Sequence, residues 1–243
     1  IGSICDGLKP SQRKILFCAF KRRLYSEIKV AQFAGYVSEH SAYHHGEMSL
    51  QGAIIGMAQT FVGSNNINLL KPNGQFGTRI LGGHDSASPR YIHTELNRVI
   101  DDIYIHSDFD ILTYLDDDGV SVEPEYYVPI IPMVLVNGMK GIGTGFSTTI
   151  PCFNPVDIIR NIQNKLDDKP YVDMIPWYNG FNGKIEKIND KQYITKGVYN
   201  IVGKSTLKIT ELPIGKWTQN YKEFLESLIY DKTKKQKFYI LDY

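Results

Sequence analysis

Three stretches with the apolar spacing of an α-helix follow one another in the first 61 residues, and this series of helices most constrains the fold. The first covers residues 9–20 and has Pro10 in a first-turn position, the second covers 30–39, and the third covers 46–61. The connection between the last two is short. Three short helices joined in this way are typical of a helix-turn-helix unit, so the sequence predicts one at the start of the chain.

Beyond Phe61 the sequence changes to Asn, Gly and Pro, which favours loops and short strands over another long helix. A wing-like appendage fits this region. We expect a helix over 94–103, a hairpin with its turn at 116–119, and a buried apolar segment over 127–136. We place a domain boundary near Pro151, so that residues 1–150 form a winged-helix domain.

Residues 151–243 have the pattern of a second domain. Asn154 can cap a helix that has Pro155 at its first position. Four strand-like segments follow between residues 183 and 209, and a closing helix is expected over 216–229. The fold class predicted for the whole chain is therefore α+β.

The net charge of +1 hides an uneven distribution of charge along the chain. Residues 1–100 hold eleven Lys or Arg against six acidic residues, whereas residues 101–130 hold nine acidic residues and no Lys or Arg. A polyanionic partner should therefore meet the first of these segments, although each can also be simple solvated surface. Cations near the first helix could neutralise several phosphates of a duplex and make binding depend strongly on salt. They are Lys9, Arg13, Lys14, Lys21, Arg22, Arg23 and Lys29.

Three cysteines without a CxxC pair argue against a disulfide framework and for a reducing compartment. The sequence has no apolar run of transmembrane length and no signal peptide, so no membrane partner is expected. It opens with Ile1 instead of methionine, and we expect it to be a piece of a longer protein.

A candidate nucleophile follows a glycine-rich turn, where Gly74–Arg79 leads to Ser86–Tyr91. A phenol has a reference pKa of about 10, so it attacks a phosphodiester only where positive charge stabilises its anion and the phosphate. Arg90 and Arg79 could supply that charge. The Arg-Tyr pair alone is weak evidence, because most tyrosines are core or surface residues.

Two histidines, His44 and His45, stand at the predicted start of the third helix. Their imidazoles could hydrogen-bond a phosphate or stabilise charge that develops there. A cation site on His40, His44 and Glu47 is an alternative, but a closed zinc site needs about four ligands. A plain structural role is a further alternative, and we assign no metal site.

The segment Gly141–Gly145 frames one apolar residue, Ile142, between glycines. It lacks the spacing of a dinucleotide-binding loop and the Lys-Ser/Thr of a P-loop, so a nucleotide cofactor is not expected. Ile142 could be a wedge between base steps or part of an ordinary tight turn, and the residues alone favour the turn.

Eight sequence blocks together resemble the breakage-reunion core of eukaryotic-type (type IIA) DNA topoisomerase II in their order and spacing, over essentially the whole chain. The blocks are Asp6–Lys14, Lys29–Gln32, Tyr43–Glu47, Gly74–Arg79, Ser86–Tyr91, Pro129–Val134, Gly141–Gly145 and Ile209–Pro213. The resemblance implies a winged-helix DNA-binding and cleavage domain over 1–150 and an incomplete α/β tower domain over 151–243.

The resemblance also implies roles for single residues. Tyr91 would be the nucleophile that takes the 5′ phosphate of a cleaved strand, with Arg90 beside it. Arg13 and His45 would assist at the scissile phosphate. Ile142 would intercalate and bend the DNA, which reverses the preference for a plain turn. The residues expected to contact DNA are Lys9, Lys14, Lys29, His44, Arg79 and Ile142.

Members of this family cut both strands of duplex DNA as homodimers, pass a second duplex through the break and reseal it, driven by ATP. The resemblance implies Mg²⁺ and ATP in the full-length enzyme, bound by TOPRIM and ATPase domains outside this chain, and no cofactor in this fragment. We therefore expect the fragment to bind DNA and to cleave it poorly or not at all. The expected location is the nucleus or, for a large DNA virus, the viral factory or host cell.

Two other classes of function stay open on the residues alone. A non-catalytic winged-helix protein needs only the basic helices, with Tyr91 in a structural role. A metal hydrolase on His44, His45 and Glu47 has less support.

Overall fold

A computed structural model describes residues 1–229 and 240–243 and contains both helices and strands. The helices are α1 Pro10–Arg22, α2 Val30–His40, α3 Glu47–Ala58, α4 Ile100–Ile103, α5 Met133–Val136, α6 Pro155–Leu166 and α7 Thr218–Leu228. The strands are β1 Ile28–Lys29, β2 His93–Thr94, β3 Tyr114–Asp117, β4 Val120–Pro124, β5 Met139–Gly143, β6 Phe146–Ile150, β7 Lys184–Asn189, β8 Gln192–Lys196, β9 Val198–Val202 and β10 Thr206–Glu211. The predicted α+β fold class is confirmed.

The three predicted helices at the start of the chain are present. α1 begins at Pro10, whose fixed φ suits a first helical turn, and the N–H of Lys9 donates to Gln12 Oε1 at 2.9 Å. It ends where Arg23 takes a left-handed conformation with φ of 50°. α3 ends at Ala58 instead of the predicted residue 61, because Gln59 is extended.

The apolar faces of α1, α2 and α3 pack against each other and against residues from later segments to form the main core. Burying one such side chain fully stabilises the fold by roughly 1.5–3 kcal/mol. The largest completely covered side chains include Ile15, Leu16, Phe33, Leu50, Ile54, Leu70, Leu96, Ile100 and Ile158.

The helix predicted over 94–103 is wrong for most of its length, since only Ile100–Ile103 is helical. Ile92, Thr94 and Leu96 are buried in alternation with more exposed neighbours, which is the period of a strand. His93–Thr94 accordingly pairs with β1 as an antiparallel strand.

Two hairpins follow. β3 and β4 are joined by Asp118 and Gly119, both at positive φ, as the acidic turn predicted. β5 and β6 pair with Ile142 opposite Ser147. Between the hairpins, the apolar segment predicted as buried over 127–136 is only partly so, because Val128 and Ile130 are exposed.

The second segment, residues 151–229, begins with the predicted capped helix: Asn154 Oδ1 accepts from the N–H of Val156 at 2.9 Å, and α6 follows. The four expected strands form two antiparallel hairpins, β7–β8 and β9–β10, and α7 follows them. Ile158 of α6 is 2 % exposed and belongs to the main core. The domain boundary near Pro151 stays a prediction, and α6 packs across it.

Within residues 1–229 and 240–243, we find no helix with both the length and the apolar character that crossing a membrane requires.

Candidate active site

Tyr91 lies at the surface on a tight turn. Its backbone N–H donates to Ser88 O at 2.9 Å, and 73 % of the residue is exposed. The guanidinium carbon of Arg90 lies 5.8 Å from the centre of the Tyr91 ring. A guanidinium there can bind a phosphate that approaches the phenol oxygen.

The start of α2 fixes this turn through the backbone. The N–H groups of a helix's first turn have no partner within the helix. In α2, Val30 donates to Ile92 O and Ala31 donates to Pro89 O, both at 3.0 Å. These bonds reach the residues on either side of the Arg90-Tyr91 pair, so the turn is attached to the end of a buried helix.

The β1–β2 pairing brings a further cation to the same place. Lys29 is exposed and lies directly opposite His93 in the antiparallel register. His93 is also bridged to Asn73, with backbone bonds of 2.9 and 3.1 Å. The sequence prediction included Lys29 but missed His93, and the alternation of Ile92, Thr94 and Leu96 with the polar residues between them is the signal that could have found it.

The residues that lead to Tyr91, here called the tyrosine loop (residues 74–91), are held in a defined shape. Gly74 has a φ of +124°, and a Cβ there would lie 2.8 Å from the Ile92 side chain, so the position requires glycine. Asp85 accepts from Thr78 N–H at 2.8 Å and from Thr78 Oγ1 at 2.5 Å. These hydrogen bonds hold the pKa of Asp85 below its ordinary value.

Arg79 of the tyrosine loop is bonded to the second segment. Its guanidinium donates to Glu211 Oε1 at 2.6 Å and to Leu212 O at 2.8 Å. The side chain of Arg79 is 23 % exposed and that of Glu211 is 5 % exposed. This position does not favour the predicted contact of Arg79 with DNA, or its predicted support of a Tyr91 anion, and both stay predictions.

Two further predicted phosphate contacts are bound to carboxylates. Arg13, 6 % exposed, donates to both oxygens of Asp6 at 2.7 and 3.0 Å. Lys14 lies 2.7 Å from Glu123 and 2.5 Å from Ser41 O. Charges that are buried need such partners. Their observed contacts are structural, and the predicted roles of Arg13 and Lys14 at DNA gain no support from them.

Lys9, Lys14, His44 and His45 line a groove of about 470 Å³, together with the carboxylate of Asp117. The first turn of α1 also lines the groove, so the positive end of that helix dipole favours an anion there. His44 Nε2 lies 3.1 Å from Asp117 Oδ2, which is on the β3–β4 hairpin. The structure thus brings together four of the predicted site residues at a place suited to a phosphate.

The groove and the Tyr91 turn lie at opposite ends of α2. The helix begins at Val30, beside the turn, and ends at His40, before the segment with His44 and His45. Eleven residues at about 1.5 Å each give a length of about 16 Å. The predicted residues therefore form two clusters in this chain instead of one.

Ile142 lies on β5 and is 82 % exposed. Its neighbours are close to the first residue of the chain: a Cβ on Gly141 would lie 3.2 Å from Ile1, and one on Gly143 would lie 3.3 Å from it. An exposed isoleucine in a paired strand is not part of the turn itself, and this shape fits an apolar wedge.

In the part of the chain that the structure describes, no group of three or more His, Cys, Asp or Glu side chains is placed to hold a metal ion. The alternative cation site on His40, His44 and Glu47 is therefore not formed there. His40 instead stacks on Tyr36 at 3.9 Å between ring centres.

A family model for the A-type subunit of DNA gyrase/topoisomerase IV matches residues 1–243. The chain belongs to this DNA gyrase/topoisomerase IV family. The resemblance seen in the eight sequence blocks is thereby confirmed at the level of the family.

Topoisomerase relatives match this family member along nearly its whole length. It is 55 % identical to a probable DNA topoisomerase 2 of Dictyostelium discoideum over 97 % of this chain and 16 % of the relative. It is 60 % identical to the DNA topoisomerase 2 of Pisum sativum over 89 % of this chain and 15 % of the relative. The chain thus spans about a sixth of the length of these topoisomerases.

The same fold occurs in a solved topoisomerase structure. The crystal structure of the Plasmodium falciparum topoisomerase II DNA-binding, cleavage and re-ligation domain superposes with a TM-score of 0.94 at 55 % identity. The match covers 96 % of this chain and 32 % of that one.

Proposed function

We propose that this chain is the tyrosine-bearing part of the DNA breakage-reunion core of a type II DNA topoisomerase. The observation that carries the proposal is an exposed Tyr91 on a turn held by the first N–H groups of α2. The names of the relatives, DNA topoisomerase 2, support it. In this function the enzyme cuts both strands of one duplex, passes a second duplex through and reseals the first.

The chemistry is a reversible transesterification. The phenol oxygen of Tyr91 loses its proton and attacks the phosphorus, a 5′-phosphotyrosyl bond forms, and the 3′ oxygen leaves and is protonated. Resealing reverses the same step, so the bond energy is kept and resealing itself requires no nucleotide. Arg90 binds the phosphate oxygens beside the phenol.

The groove at α1 and α3 binds backbone phosphate in this proposal. Lys9, His44 and His45 line it, and the N-terminus of α1 adds partial positive charge. His45 contacts that backbone phosphate and Lys29 contacts the backbone near Tyr91, and a role of His45 at the scissile phosphate stays a prediction. Because the groove lies about 16 Å from Tyr91 along α2, we assign the two clusters to different phosphates.

Arg13 and Lys14 act through the fold in this proposal. The pair of Arg13 with Asp6 holds the segment before α1, since Asp6 Oδ2 also accepts from the N–H of Tyr127 at 3.0 Å. Lys14 joins α1 to β4 through Glu123. Arg13 therefore places Lys9 and the groove, and the ion pair with Glu123 holds Lys14 at the groove's edge.

Ile142 inserts between base pairs and bends the cut duplex. An apolar side chain 82 % exposed gains free energy when a base step covers it, which offsets part of the cost of unstacking.

Mg²⁺, ATP and several partners belong to the whole enzyme. We assign both cofactors to domains outside this chain, a TOPRIM domain and an ATPase domain of the same polypeptide. The partners are duplex DNA and a second copy of the chain. We place the enzyme in the nucleus, or in the viral factory or host cell of a large DNA virus; one similar relative is named as mitochondrial.

The test uses the full-length protein with Mg²⁺ and nicked duplex DNA, and detects a covalent protein–DNA adduct after denaturation. We expect an adduct in the parent protein and none in Tyr91→Phe, with DNA affinity retained in both. An adduct that persists in Tyr91→Phe would show that the nucleophile is wrongly assigned. DNA binding without any adduct in the parent would favour a non-catalytic winged-helix protein.

A further inference from the structure

The tyrosine loop is held on one side by the second segment, more than 120 residues away in sequence. Three contacts make this attachment: Arg79 with Glu211, Gly82 with Trp217, and Ile80 with Gln219. None of the second-segment residues in these contacts was predicted as part of the site.

The polar contact is a buried ion pair with every oxygen of the carboxylate used. Glu211 Oε1 accepts from Arg79 and from the N–H of Leu212, and Oε2 accepts from the N–H of Asn182 at 3.1 Å. The Arg79 guanidinium also donates to Leu212 O. Both contacts use the same guanidinium nitrogen, Nη2, and charge-assisted contacts of this kind are short and strong.

The contact with Trp217 leaves no space for a side chain at Gly82 of the loop. A Cβ on Gly82 would lie 2.3 Å from the indole nitrogen of Trp217, and Phe61 packs edge-on against the same indole at 5.8 Å between ring centres. The backbone adds a third bond, from the N–H of Gln219 in the first turn of α7 to Ile80 O at 3.0 Å.

These contacts continue to Tyr91 through the loop itself. Arg79 follows Thr78, whose N–H and hydroxyl both bond Asp85, and Asp85 precedes the turn that carries Tyr91. Gln59, directly after α3, also donates to the loop, to Phe76 O at 2.8 Å and to Gly83 O at 3.2 Å. The loop is therefore held both by the end of α3 and by the second segment.

We propose that Glu211 is a positioning residue for Tyr91: through Arg79 it holds the tyrosine loop so that the phenol oxygen meets the phosphate in line. In this proposal Arg79 binds Glu211 and does not bind a phosphate. This inference rests on the proposed cleavage function, and it makes the second segment part of the machinery that places the nucleophile.

The test compares Glu211→Gln with the parent in the full-length protein, at saturating nicked DNA and with Mg²⁺. We expect the rate constant of adduct formation to fall roughly ten- to hundredfold, because a misplacement of about 1 Å can cost about that much. DNA affinity, its salt dependence and the fraction of protein able to form adduct should not change. A merely structural role would lower the active fraction and leave the rate constant of the remainder intact.

Glu186→Gln is the matched control. Glu186 pairs with Lys184 at 2.7 Å and with Lys196 at 2.5 Å on the β7–β8 hairpin, and no contact joins it to the tyrosine loop among the described residues. We expect this variant to keep the parental rate constant.

The outcomes separate the two proposals. A parent protein that forms no adduct overturns the cleavage function, whereas a Glu211→Gln protein with the parental rate constant overturns only the positioning role. If Glu211→Gln does not fold, Arg79→Gln replaces it, because Glu211 then keeps its backbone donors. Weaker DNA binding and a smaller salt slope in Arg79→Gln, with an unchanged rate constant at saturation, would assign Arg79 to a phosphate and overturn the proposal.

Discussion

The carboxylate of Glu211 is buried. Burial by itself would raise the pKa of this carboxyl, but the hydrogen bonds from Arg79 and from the N–H groups of Asn182 and Leu212 outweigh it, and the pKa lies below its ordinary value. A carboxylate whose folded pKa is below its unfolded pKa adds stability above the unfolded pKa. That stability is lost as pH falls through the folded pKa.

We therefore predict a pH-dependent difference between the parent and Glu211→Gln. At pH 7 the variant should have the lower melting temperature, and the gap should narrow as pH falls below about 4.3, the ordinary value for a glutamate. Thermal denaturation between neutral and acidic pH checks this. A gap that stays constant over the range would mean that the charge of Glu211 contributes nothing.

Ile142 offers a second prediction for a single residue. Ile142→Ala should reduce DNA bending more than DNA affinity, because the wedge unstacks a base step while cations supply most of the binding free energy. Energy transfer between labels at the two ends of a duplex measures the bend. Ile201→Ala, at another strand residue that is 74 % exposed, is the control and should bend DNA like the parent. If Ile142→Ala bends DNA as much as the parent does, the proposed wedge role of Ile142 is wrong.

The sequence shows which residues are cations, but it does not indicate which of them pair with a distant part of the chain. Lys14 pairs with Glu123 across 109 residues, and Arg79 bonds Leu212 across 133. Nothing in the local spacing around either residue indicates such a partner. Lys9 and Lys29 were predicted on the same grounds and are exposed. Only the tertiary fold distinguishes the two sets.

At the level of elements, the backbone conformation of the tyrosine loop requires glycine at position 74. Gly74→Ala should destabilise the fold by about 1–3 kcal/mol, since alanine at a φ of +124° is strained and its Cβ would meet Ile92 at 2.8 Å. Chemical denaturation measures the change.

Gly52→Ala on α3 is the control of opposite sign. A Cβ at Gly52 meets nothing within 4 Å, and alanine in a helix is more stable than glycine by about 0.5–1 kcal/mol. A loss of stability in Gly52→Ala as large as that in Gly74→Ala would refute the argument from backbone conformation.

Elements with a marked local signal were predicted well. The cap at Asn154, the turn at Asp118 and the proline at the start of α1 each lie where the sequence placed them. The stretch 94–103 was predicted as a helix because its apolar residues, Leu96, Val99, Ile100 and Ile103, have helical spacing. At its start Thr94 pairs with Ile28 of β1 instead, and nothing in the local sequence indicates that partner.

At the level of the whole molecule, the basic and acidic stretches of the sequence are joined by specific pairs. Lys14 with Glu123 and His44 with Asp117 both connect the helical part to the acidic hairpin β3–β4. The Lys14–Glu123 pair therefore neutralises one cation, and in the proposed function exposed cations such as Lys9 and Lys29 meet a polyanion.

We predict that this chain alone binds duplex DNA, with affinity that falls steeply as salt rises, and cleaves it poorly or not at all. Binding measured over a range of salt concentrations, together with an adduct assay with Mg²⁺, checks both parts. Robust cleavage by the isolated chain would contradict the assignment of the metal-binding half of the site to another domain.

The bonds from Val30 and Ala31 to the carbonyls of Ile92 and Pro89 use main-chain atoms only. Any residue except proline supplies the same N–H, so substitutions of the surrounding side chains leave these backbone hydrogen bonds intact. In the proposed function, the residues that face the DNA can therefore change with the preferred cleavage sequence, while the phenol stays attached to the same end of the same helix.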